Sequence, residues 1–265
     1  MKRGVRAVLA AAVVLSLALG LTACSGSSGG GNNVNAIKKR GVLKVGVKID
    51  VPKFGYKDPA TGKIDGFEVD LARAVAKKIL GDPNKIELTG VTAKTRAALL
   101  DNGELDIVAA TFTITPERKQ SLNFSDPYFT DGIGILVKKS SGIAGLKDLD
   151  KKKIGVAKSA TTKARLGEKA KAIGANPEFL EFDSYPEIKA ALDAGRVDAF
   201  SVDGAILLGY LDNTTELLSE RYSQEDYGIA SAKSKDDLAK VVNDVVSELK
   251  SSGELDKLKQ KWEIK

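Results

Sequence analysis

Hydrophobic and polar residues follow one another in a pattern that predicts strands and helices in turn along most of the chain. Residues 42–49, VLKVGVKI, and residues 85–91, KIELTGV, are typical of strands. Between them, residues 66–81 have the four-residue spacing of an amphipathic helix, and Gly81 is placed to end it. That helix carries the apolar residues Phe67, Leu71, Val75 and Ile79. The alternation continues to residue 231, which predicts an α/β fold with largely parallel sheets.

A twelve-residue similarity within the chain indicates two similar lobes. Residues 100–111, LDNGELDIVAAT, and residues 192–203, LDAGRVDAFSVD, share Leu, Asp, Gly and Asp at the same offsets, after a predicted helix and before a predicted strand. Chance similarity between two ordinary α/β units is the alternative for so short a match. Because open α/β sheets bind ligands beyond the carboxyl ends of their strands, the last aligned residues, Thr111 and Asp203, are predicted to face one cleft. Asp203 is also a good N-cap for the next helix, and the two roles are compatible.

The composition is that of a globular protein and restricts the chemistry. Of the 265 residues, 43% are hydrophobic and 29% charged, which is sufficient for two lobes with a core each. The chain has no histidine and one cysteine, which excludes Cys-His and Ser-His-Asp mechanisms and ordinary zinc sites. A mechanism based on carboxyl groups alone is not excluded. No basic stripe is interleaved with aromatic residues, so nucleic acid is not an expected partner, and no metal or cofactor is predicted.

The first 23 residues have the pattern of a secretory signal peptide. Three basic residues precede an apolar run of 15 residues, which is short for a membrane span. The stretch LTAC that ends at Cys24 resembles the lipobox of bacterial lipoproteins, and this implies that Cys24 is lipidated and begins the mature chain. An uncleaved anchor or a coincidental cysteine is the alternative. Residues 24–35 are predicted to be a flexible tether, and the folded part, from about Ala36, is expected outside the cytoplasm.

Two helix N-termini are predicted to bind anions. In TPER, Thr115 is the expected N-cap and a proline follows it, which places Arg118 in the first turn. A cation there is unfavourable by about 0.3 to 1 kcal/mol unless an anion offsets it. After the predicted strand KIGVAK, the first amides of the next helix, near Thr161 and Thr162, are unpaired donors suited to a carboxylate. Alternatively, the hydroxyls of Ser159, Thr161 and Thr162 cap that helix.

Several of these segments resemble one known family. TFTITPERKQSLNFSDPY, GFEVDLARAVAKKILG and DAFSVD are similar to the family 3 extracellular solute-binding proteins of ABC amino-acid importers, and the resemblance runs from about residue 36 to the end. Within the family, GVKIDVP, TAKTR, ATFTITPERK and KAALDAGRVDAFSVD most resemble the aspartate and glutamate receptors.

The resemblance implies a two-lobed periplasmic-binding-protein-like fold of type II. Two crossing strands would join the lobes, with hinges near Asp131 and Asp226. The first lobe would comprise residues 36–130 and 226–265, and the second would comprise residues 131–225. Trp262, near the carboxyl end, would pack in the core of the first lobe rather than contact a ligand.

The resemblance also assigns roles to single residues. Arg118 would bind the ligand α-carboxylate, with Thr113 and the amides around Thr162, and Asp203 would bind the α-ammonium with Thr111. Arg96 and Lys48 match positions that meet the distal carboxylate in acidic-amino-acid receptors. Tyr185 is predicted to line the pocket, whereas other aromatic residues are expected in the core. The predicted ligand-binding residues are Lys48, Arg96, Thr111, Thr113, Arg118, Thr161, Thr162, Tyr185 and Asp203.

The charges of these side chains predict an acidic ligand. Arg118, Arg96 and Lys48 against Asp203 leave a surplus of two positive charges, which falls to one if Asp50 pairs with Lys48. Aspartate or glutamate would offset that surplus, whereas a neutral ligand would leave a cation unpaired. Considered singly, Arg96 is compatible with an ordinary helix surface and Lys48 with a strand edge.

The predicted function is therefore that of a lipid-anchored receptor of an ABC importer for aspartate or glutamate. Its expected partners are the ligand, a membrane permease and the membrane itself through the lipid, and it is expected to be a monomer at the cell envelope. Alternatives are a glutamine receptor, a sensory or adhesive lipoprotein that uses the same cleft, and a dehydratase on the same fold.

Overall fold

The structure, a computed structural model, describes residues 32–264, in which helices and strands alternate as the hydrophobic pattern predicts. The predicted signal peptide and Cys24 lie outside the described residues. The helices are α1 Asn33–Arg40, α2 Phe67–Leu80, α3 Arg96–Asp101, α4 Pro116–Ser121, α5 Thr162–Ala172, α6 Tyr185–Asp193, α7 Gly204–Leu207, α8 Asp236–Ser251 and α9 Glu254–Lys261. The strands are β1 Leu43–Val47, β2 Asp50–Val51, β3 Gly55–Lys57, β4 Ile64–Asp65, β5 Ile86–Gly90, β6 Ile107–Ala109, β7 Leu122–Phe124, β8 Phe129–Lys138, β9 Lys153–Ala157, β10 Glu178–Phe182, β11 Ala199–Asp203, β12 Thr215–Leu217, β13 Tyr222–Tyr227 and β14 Ala230–Ala232.

Two mixed sheets form the two predicted lobes. The first has the strand order β5-β1-β6-β14-β7 and the second the order β10-β9-β11-β8-β12. Neighbours are parallel on one side of each sheet, β5-β1-β6 and β10-β9-β11, but β14 and β8 run antiparallel to their neighbours. The prediction of largely parallel sheets is therefore correct for only part of each sheet, because strands that return from the lobe connections join the other side. Strands β2, β3 and β4 form a small separate hairpin sheet.

The two similar segments occupy the same place in the two sheets. The first connects α3 to the central strand β6, and the second connects α6 to the central strand β11. In both, a glycine turns the chain with positive φ, 77° at Gly103 and 70° at Gly195, a conformation that glycine adopts without strain. The predicted order of helix, tight turn and strand is confirmed for both segments. The carboxyl ends of two equivalent strands thus supply residues for a cleft.

Strands β8 and β13 pair antiparallel where the chain passes between the lobes. Asp131 is opposite Glu225, and Thr130 is opposite Asp226, so both predicted hinge residues lie on these strands. After β13 the chain returns to the first sheet as β14, and α8 packs against α2. The indole Nε1 of Trp262 donates a hydrogen bond to Asp70 at 2.7 Å, and its ring packs on the core.

Helix α2 has the predicted buried face. Phe67, Leu71, Val75 and Ile79 are buried, and the amide of Gly81 closes the helix on Lys77 O at 2.9 Å. Burial of each large apolar side chain contributes about 1.5 to 3 kcal/mol.

The tether was predicted to end at residue 35, but in the structure α1 already begins at Asn33. The side chain of Asn33 and the amide of Val34 both donate to Asp237 of α8, which fixes this end of the chain to the first lobe. These residues therefore belong to the folded part rather than to a coil.

The two lobes contact each other across the cleft. The hydroxyl of Tyr210 donates to Asp50 O at 2.6 Å, and Lys94 forms an ion pair with Asp183 at 3.1 Å. Within residues 32–264, every helix is too short or too polar to cross a membrane.

Candidate functional site

Arg118 reaches across the cleft from the first turn of α4. Thr115 caps this helix as predicted, since its hydroxyl accepts from the Arg118 amide at 3.2 Å and Pro116 follows. One guanidinium nitrogen donates to Thr113 O at 2.7 Å, and the other donates to Ser159 O of the opposite lobe at 2.9 Å. These bonds hold the guanidinium at the meeting point of the two lobes.

Two guanidinium groups flank the ring of Phe112. The Cζ atom of Arg96 lies 3.9 Å from the ring centroid and that of Arg118 lies 4.9 Å away, on distances that allow cation–π attraction. Burial, and then the charge of Arg96, lower the pKa of Arg118 to about 9. Arg118 remains charged at neutral pH, so two positive charges lie beside Phe112.

Asp203 ends β11 with its carboxylate in the cleft. It is 4% exposed and accepts a hydrogen bond from the hydroxyl of Tyr227. Its side chain makes no capping bond to α7, because the Ala205 amide donates instead to Asp131 at 2.8 Å. Burial, followed by the charge of Glu225, raises the pKa of Asp203 to about 8. A cation that binds here would favour the ionised carboxylate.

Lys48 lies just after β1 and is almost completely buried. Its Nζ is 3.1 Å from Asp50 Oδ1, an ion pair without hydrogen-bond geometry, and 4.2 Å from the ring centroid of Tyr185. Desolvation lowers the pKa of Lys48. The contact between Lys48 and Tyr185 joins the two lobes. The ion pair between Lys48 and Asp50 reduces the surplus of positive charge among the predicted ligand-binding residues from two to one.

Arg96 is buried rather than on a helix surface. It is 2% exposed and donates to Ala110 O at 2.6 Å and Thr111 O at 3.0 Å, while its Nε has no hydrogen-bond partner among the described residues. Thr111 has a φ of 44°, a left-handed conformation that is strained for a β-branched residue. Arg96 therefore both fixes a strained peptide and carries a free donor.

Glu68 is a buried ionisable residue of this site that the sequence prediction missed. It is fully buried at the start of α2, accepts from the Thr111 amide at 2.5 Å and from the Tyr128 hydroxyl, and leaves its Oε2 without a partner in the described part of the chain. Burial raises the pKa of Glu68 to about 7. The sequence did indicate that Glu68 is buried, because Glu68 lies on the apolar stripe of α2, with Ala72 and Val75 four and seven positions later.

Replacing Glu68 with glutamine is expected to stabilise the ligand-free protein more at pH 8 than at pH 5. The folded-state pKa of about 7 lies above the ordinary glutamate value, so the folded protein binds more protons in this window and the free energy of unfolding falls as pH rises. Glutamine has no such dependence. The difference between variant and parent should grow by about 2 to 3 kcal/mol from pH 5 to pH 8.

Urea unfolding at both pH values measures this difference. Glu216→Gln, at an exposed position of β12, is the matched control and should show no pH-dependent difference from the parent. An equal difference at both pH values for Glu68→Gln would contradict the raised pKa.

The amino end of α5 brings the second lobe to the same cleft. Neither Thr161 nor Thr162 caps the helix with its side chain. The Thr161 hydroxyl donates to Glu225 Oε2 at 2.9 Å, whereas the Thr162 hydroxyl is buried with no partner among the described residues. The backbone of Ser159 has a φ of 61° and turns its carbonyl toward Arg118. Among the described residues no hydrogen bond is found from the backbone amides of Thr161 and Thr162, which follow the Ser159 carbonyl that accepts from Arg118.

The expectation that aromatic residues other than Tyr185 lie in the core holds for Phe54 and Tyr128 but is wrong for Tyr56. Tyr185 is buried at the start of α6 and contacts Lys48. Phe54 and Tyr128 are buried in the core, and Tyr56 is 39% exposed. Each predicted site residue therefore has a defined place, with Lys48, Arg96, Thr111, Thr113 and Arg118 on the first lobe and Thr161, Thr162, Tyr185 and Asp203 on the second.

The charge of the cleft depends on Glu68. Three cationic side chains and three carboxyl groups, including that of Glu68, lie around the cleft. Their net charge is zero when all six are ionised and +1 when Glu68 is protonated. These groups are Lys48, Arg96, Arg118, Asp50, Glu68 and Asp203. The nearby carboxylate of Glu225 is neutralised by Arg165 at 2.6 Å. Within residues 32–264, no cluster of three or more His, Cys, Asp or Glu side chains is arranged to hold a metal ion.

Known proteins resemble the chain over both lobes. A family model described as bacterial extracellular solute-binding proteins, family 3, matches residues 43–265. The glutamine-binding protein of Geobacillus stearothermophilus is 47% identical over 209 residues, covering 78% of this chain and 79% of that protein. The glutamine-binding protein GlnH of an ABC transporter of Bacillus subtilis is 38% identical over 269 residues, covering 96% of each.

More distant relatives and solved structures agree with this. The glutamate-binding protein GluB of Corynebacterium glutamicum is 32% identical over 251 residues, covering 90% of this chain and 83% of that protein. A crystal structure of a mutant of ArgBP from T. maritima has a TM-score of 0.78 at 33% identity, covering 88% of this chain and 99% of that chain. The similarity thus covers sequence and fold together.

Proposed function

This chain belongs to the bacterial extracellular solute-binding proteins of family 3, and we propose that it is the receptor of an ABC importer for an acidic amino acid, aspartate or glutamate. One ligand binds between the lobes and draws them together. The single observation that carries this proposal is that Arg118 of the first lobe and the buried Asp203 of the second lobe lie close enough for their charges to interact.

The α-amino and α-carboxylate groups of an amino acid match these two side chains. A planar guanidinium gives paired, charge-assisted hydrogen bonds to a carboxylate, and the first amides of α5 add donors beside it. Asp203 offers a buried carboxylate to the ammonium. Because the two groups lie on different lobes, a single ligand that contacts both stabilises the closed arrangement.

The opposite end of the cleft supports a ligand with a second carboxylate. Arg96 has a buried Nε donor without a partner among the described residues, and the nearby charge of Lys48, which acts on Arg96, is offset by Asp50. With Glu68 protonated the cleft carries +1, which a ligand of net charge −1 balances. A buried cation without a counter-charge costs several kcal/mol, so the acidic ligand is favoured.

Glutamine is the second candidate, and two observations favour it. Two relatives with glutamine in their names are 47% and 38% identical to this chain. The ion pair between Lys48 and Asp50 also lowers the surplus charge, and with Glu68 ionised the cleft is neutral, as suits a ligand without net charge. A carboxamide oxygen would then accept from Arg96.

The remaining parts of the proposal concern location and partners. A lipid on Cys24 would hold the receptor at the outer face of the cell membrane, and a permease in that membrane would receive the ligand. The receptor acts as a monomer, since one chain supplies both lobes of the cleft. A sensory or adhesive lipoprotein would use the same cleft without a permease. The dehydratase alternative has less support, because the relatives carry the names of binding proteins.

Calorimetric titration of the purified protein with aspartate, glutamate, glutamine, asparagine and arginine tests the proposal. Binding of one aspartate or glutamate per chain, tighter than glutamine and without turnover, is the expected result. Tighter binding of glutamine would keep the receptor function and reject the acidic preference. Turnover of any ligand would reject the receptor function.

Replacing Arg96 with glutamine is expected to weaken glutamate binding at least about tenfold more than glutamine binding, because only glutamate loses a charged partner. Glutamine at this position retains an amide donor for Ala110 O or Thr111 O, so the strained peptide keeps part of its support. Titration of both ligands measures the ratio. Equal weakening of the two ligands would show that Arg96 only supports the backbone.

A further inference from the structure

Glu68 is surrounded by the cationic end of the cleft. It lies at the start of α2 and bonds to the amide of Thr111, whose carbonyl accepts from Arg96. Tyr128, just before β8, donates to the same carboxyl oxygen of Glu68, and Lys48, just after β1, adds a second positive charge. In the described chain these are the titratable and charged groups with the largest effects on Glu68. The carboxyl group and the two predicted side-chain ligands thus form one electrostatic unit.

A ligand carboxylate that enters this unit competes with Glu68 for the same positive charge. Arg96 and Lys48 carry two charges, and Asp50 already offsets one of them. One positive charge then remains. If Glu68 were ionised, Glu68 would offset that charge, and the distal carboxylate of an acidic ligand would find no further cation among these groups. A proton on the free Oε2 of Glu68 removes this conflict, and this atom has no partner to block it in the described part of the chain.

We propose that Glu68 sets the charge of the ligand that the cleft accepts, binding a proton when an acidic amino acid enters and remaining ionised when glutamine enters. The proposal rests on the receptor function proposed above. The proton comes from the solvent or buffer and is held on the Glu68 carboxyl group, so one positive charge enters with each acidic ligand. Glu68 is a specificity-determining residue that does not itself contact the ligand.

The physical state of Glu68 makes this exchange accessible near neutral pH. Burial raises its pKa to about 7, so both forms are populated there. A second negative charge at Arg96 raises the pKa further. Asp203 also titrates, but it faces the α-ammonium that glutamate and glutamine share. Its contribution therefore cancels when the two ligands are compared.

The test is titration of the purified protein at pH 8 with glutamate and with glutamine, in phosphate and in Tris buffer. The dependence of the binding heat on the buffer gives the number of protons taken up. Glutamate is expected to take up close to one proton more than glutamine. The affinity ratio of glutamate to glutamine should rise by up to about tenfold for each pH unit that the pH falls between 9 and 7.

The variant Glu68→Gln removes the charge and keeps the oxygen that accepts from Thr111 and Tyr128. At pH 8 it should shift the ratio at least about tenfold toward glutamate and abolish the difference in proton uptake. Glu216→Gln, exposed on the second lobe, should behave as the parent. The wild-type proton count does not depend on how well the variant folds.

Two results would overturn the proposal. One is equal proton uptake for both ligands in the parent protein, and the other is a folded Glu68→Gln that leaves the ratio unchanged. If the parent binds only glutamine, the acidic preference fails separately, and a gain of glutamate binding in Glu68→Gln still supports the role of Glu68. If neither ligand binds the parent, the role of Glu68 is rejected, and the receptor function is then decided separately by titration with aspartate, asparagine and arginine.

Discussion

Replacing Arg118 with alanine is expected to weaken the binding of every amino-acid ligand by about two to three orders of magnitude, or about 3 to 4 kcal/mol. The guanidinium is the group proposed to hold the α-carboxylate, and it is fixed by Thr113 O and Ser159 O. Its removal leaves a ligand carboxylate in the cleft without its paired donors. The loss should be similar for glutamate and glutamine, since both carry the same α-carboxylate.

Calorimetry with both ligands measures this loss, and Arg196→Ala provides the control. Arg196 is an exposed arginine in the tight turn before β11, so its removal tests the effect of one positive charge on the surface. The control should bind as the parent does. An Arg118→Ala protein that lost less than tenfold would place the α-carboxylate elsewhere, and the anion proposed from the TPER segment would be wrong.

Replacing Asp203 with asparagine is expected to weaken binding by about two orders of magnitude, because a buried ammonium would lose its counter-charge at a cost of about 3 kcal/mol. Asparagine keeps an oxygen for the Tyr227 hydroxyl, so the change removes charge with little change of shape. The loss should again be common to glutamate and glutamine.

The pH dependence of binding should change in the same variant. With a pKa of about 8, Asp203 is largely protonated below that pH and must release a proton to hold an ammonium. This contribution weakens both ligands by up to about tenfold for each unit that the pH falls below 8. Asp203→Asn should lose this pH dependence of the binding of both ligands. Asp256→Asn, a change at an exposed site on α9, should retain it. If the pH dependence that glutamate and glutamine share persisted in Asp203→Asn, a group other than Asp203 would be its cause.

Local sequence was sufficient to predict the segment around Arg118. The N-cap, the proline and the acid are consecutive residues, and their helix-starting effect does not depend on the rest of the fold. The amphipathic spacing of α2 and the turns at Gly103 and Gly195 are equally local. These features were predictable because each is determined within a few residues.

Glu68 was missed because distant residues determine its state. Its hydrogen-bond partners, Thr111 and Tyr128, are 43 and 60 residues away in the sequence. A polar residue in the first turn of a helix is normally solvated and favourable there, so local rules gave no reason to expect burial. Only its position on the apolar stripe of α2 indicated otherwise.

The pairing of Lys48 with Asp50 was predictable from the sequence only in part. Residues two apart along an extended chain point to the same side, so the sequence permitted an ion pair and the charge count allowed for it. The sequence did not determine whether the two side chains meet, because Tyr185 from the other lobe packs on Lys48. Contacts between lobes depend on how the lobes close, which no single segment encodes.

The position of β14 has a consequence for the order in which the protein folds during its synthesis. This strand lies between β6 and β7 in the first sheet, although about 120 residues separate it from β6. At a synthesis rate of about 5 to 20 residues per second, β6 waits about 6 to 24 s with one edge unpaired. The second sheet has all its strands within residues 129–227 and is complete before β14 emerges. The lobe that begins later in the sequence is therefore able to finish folding first.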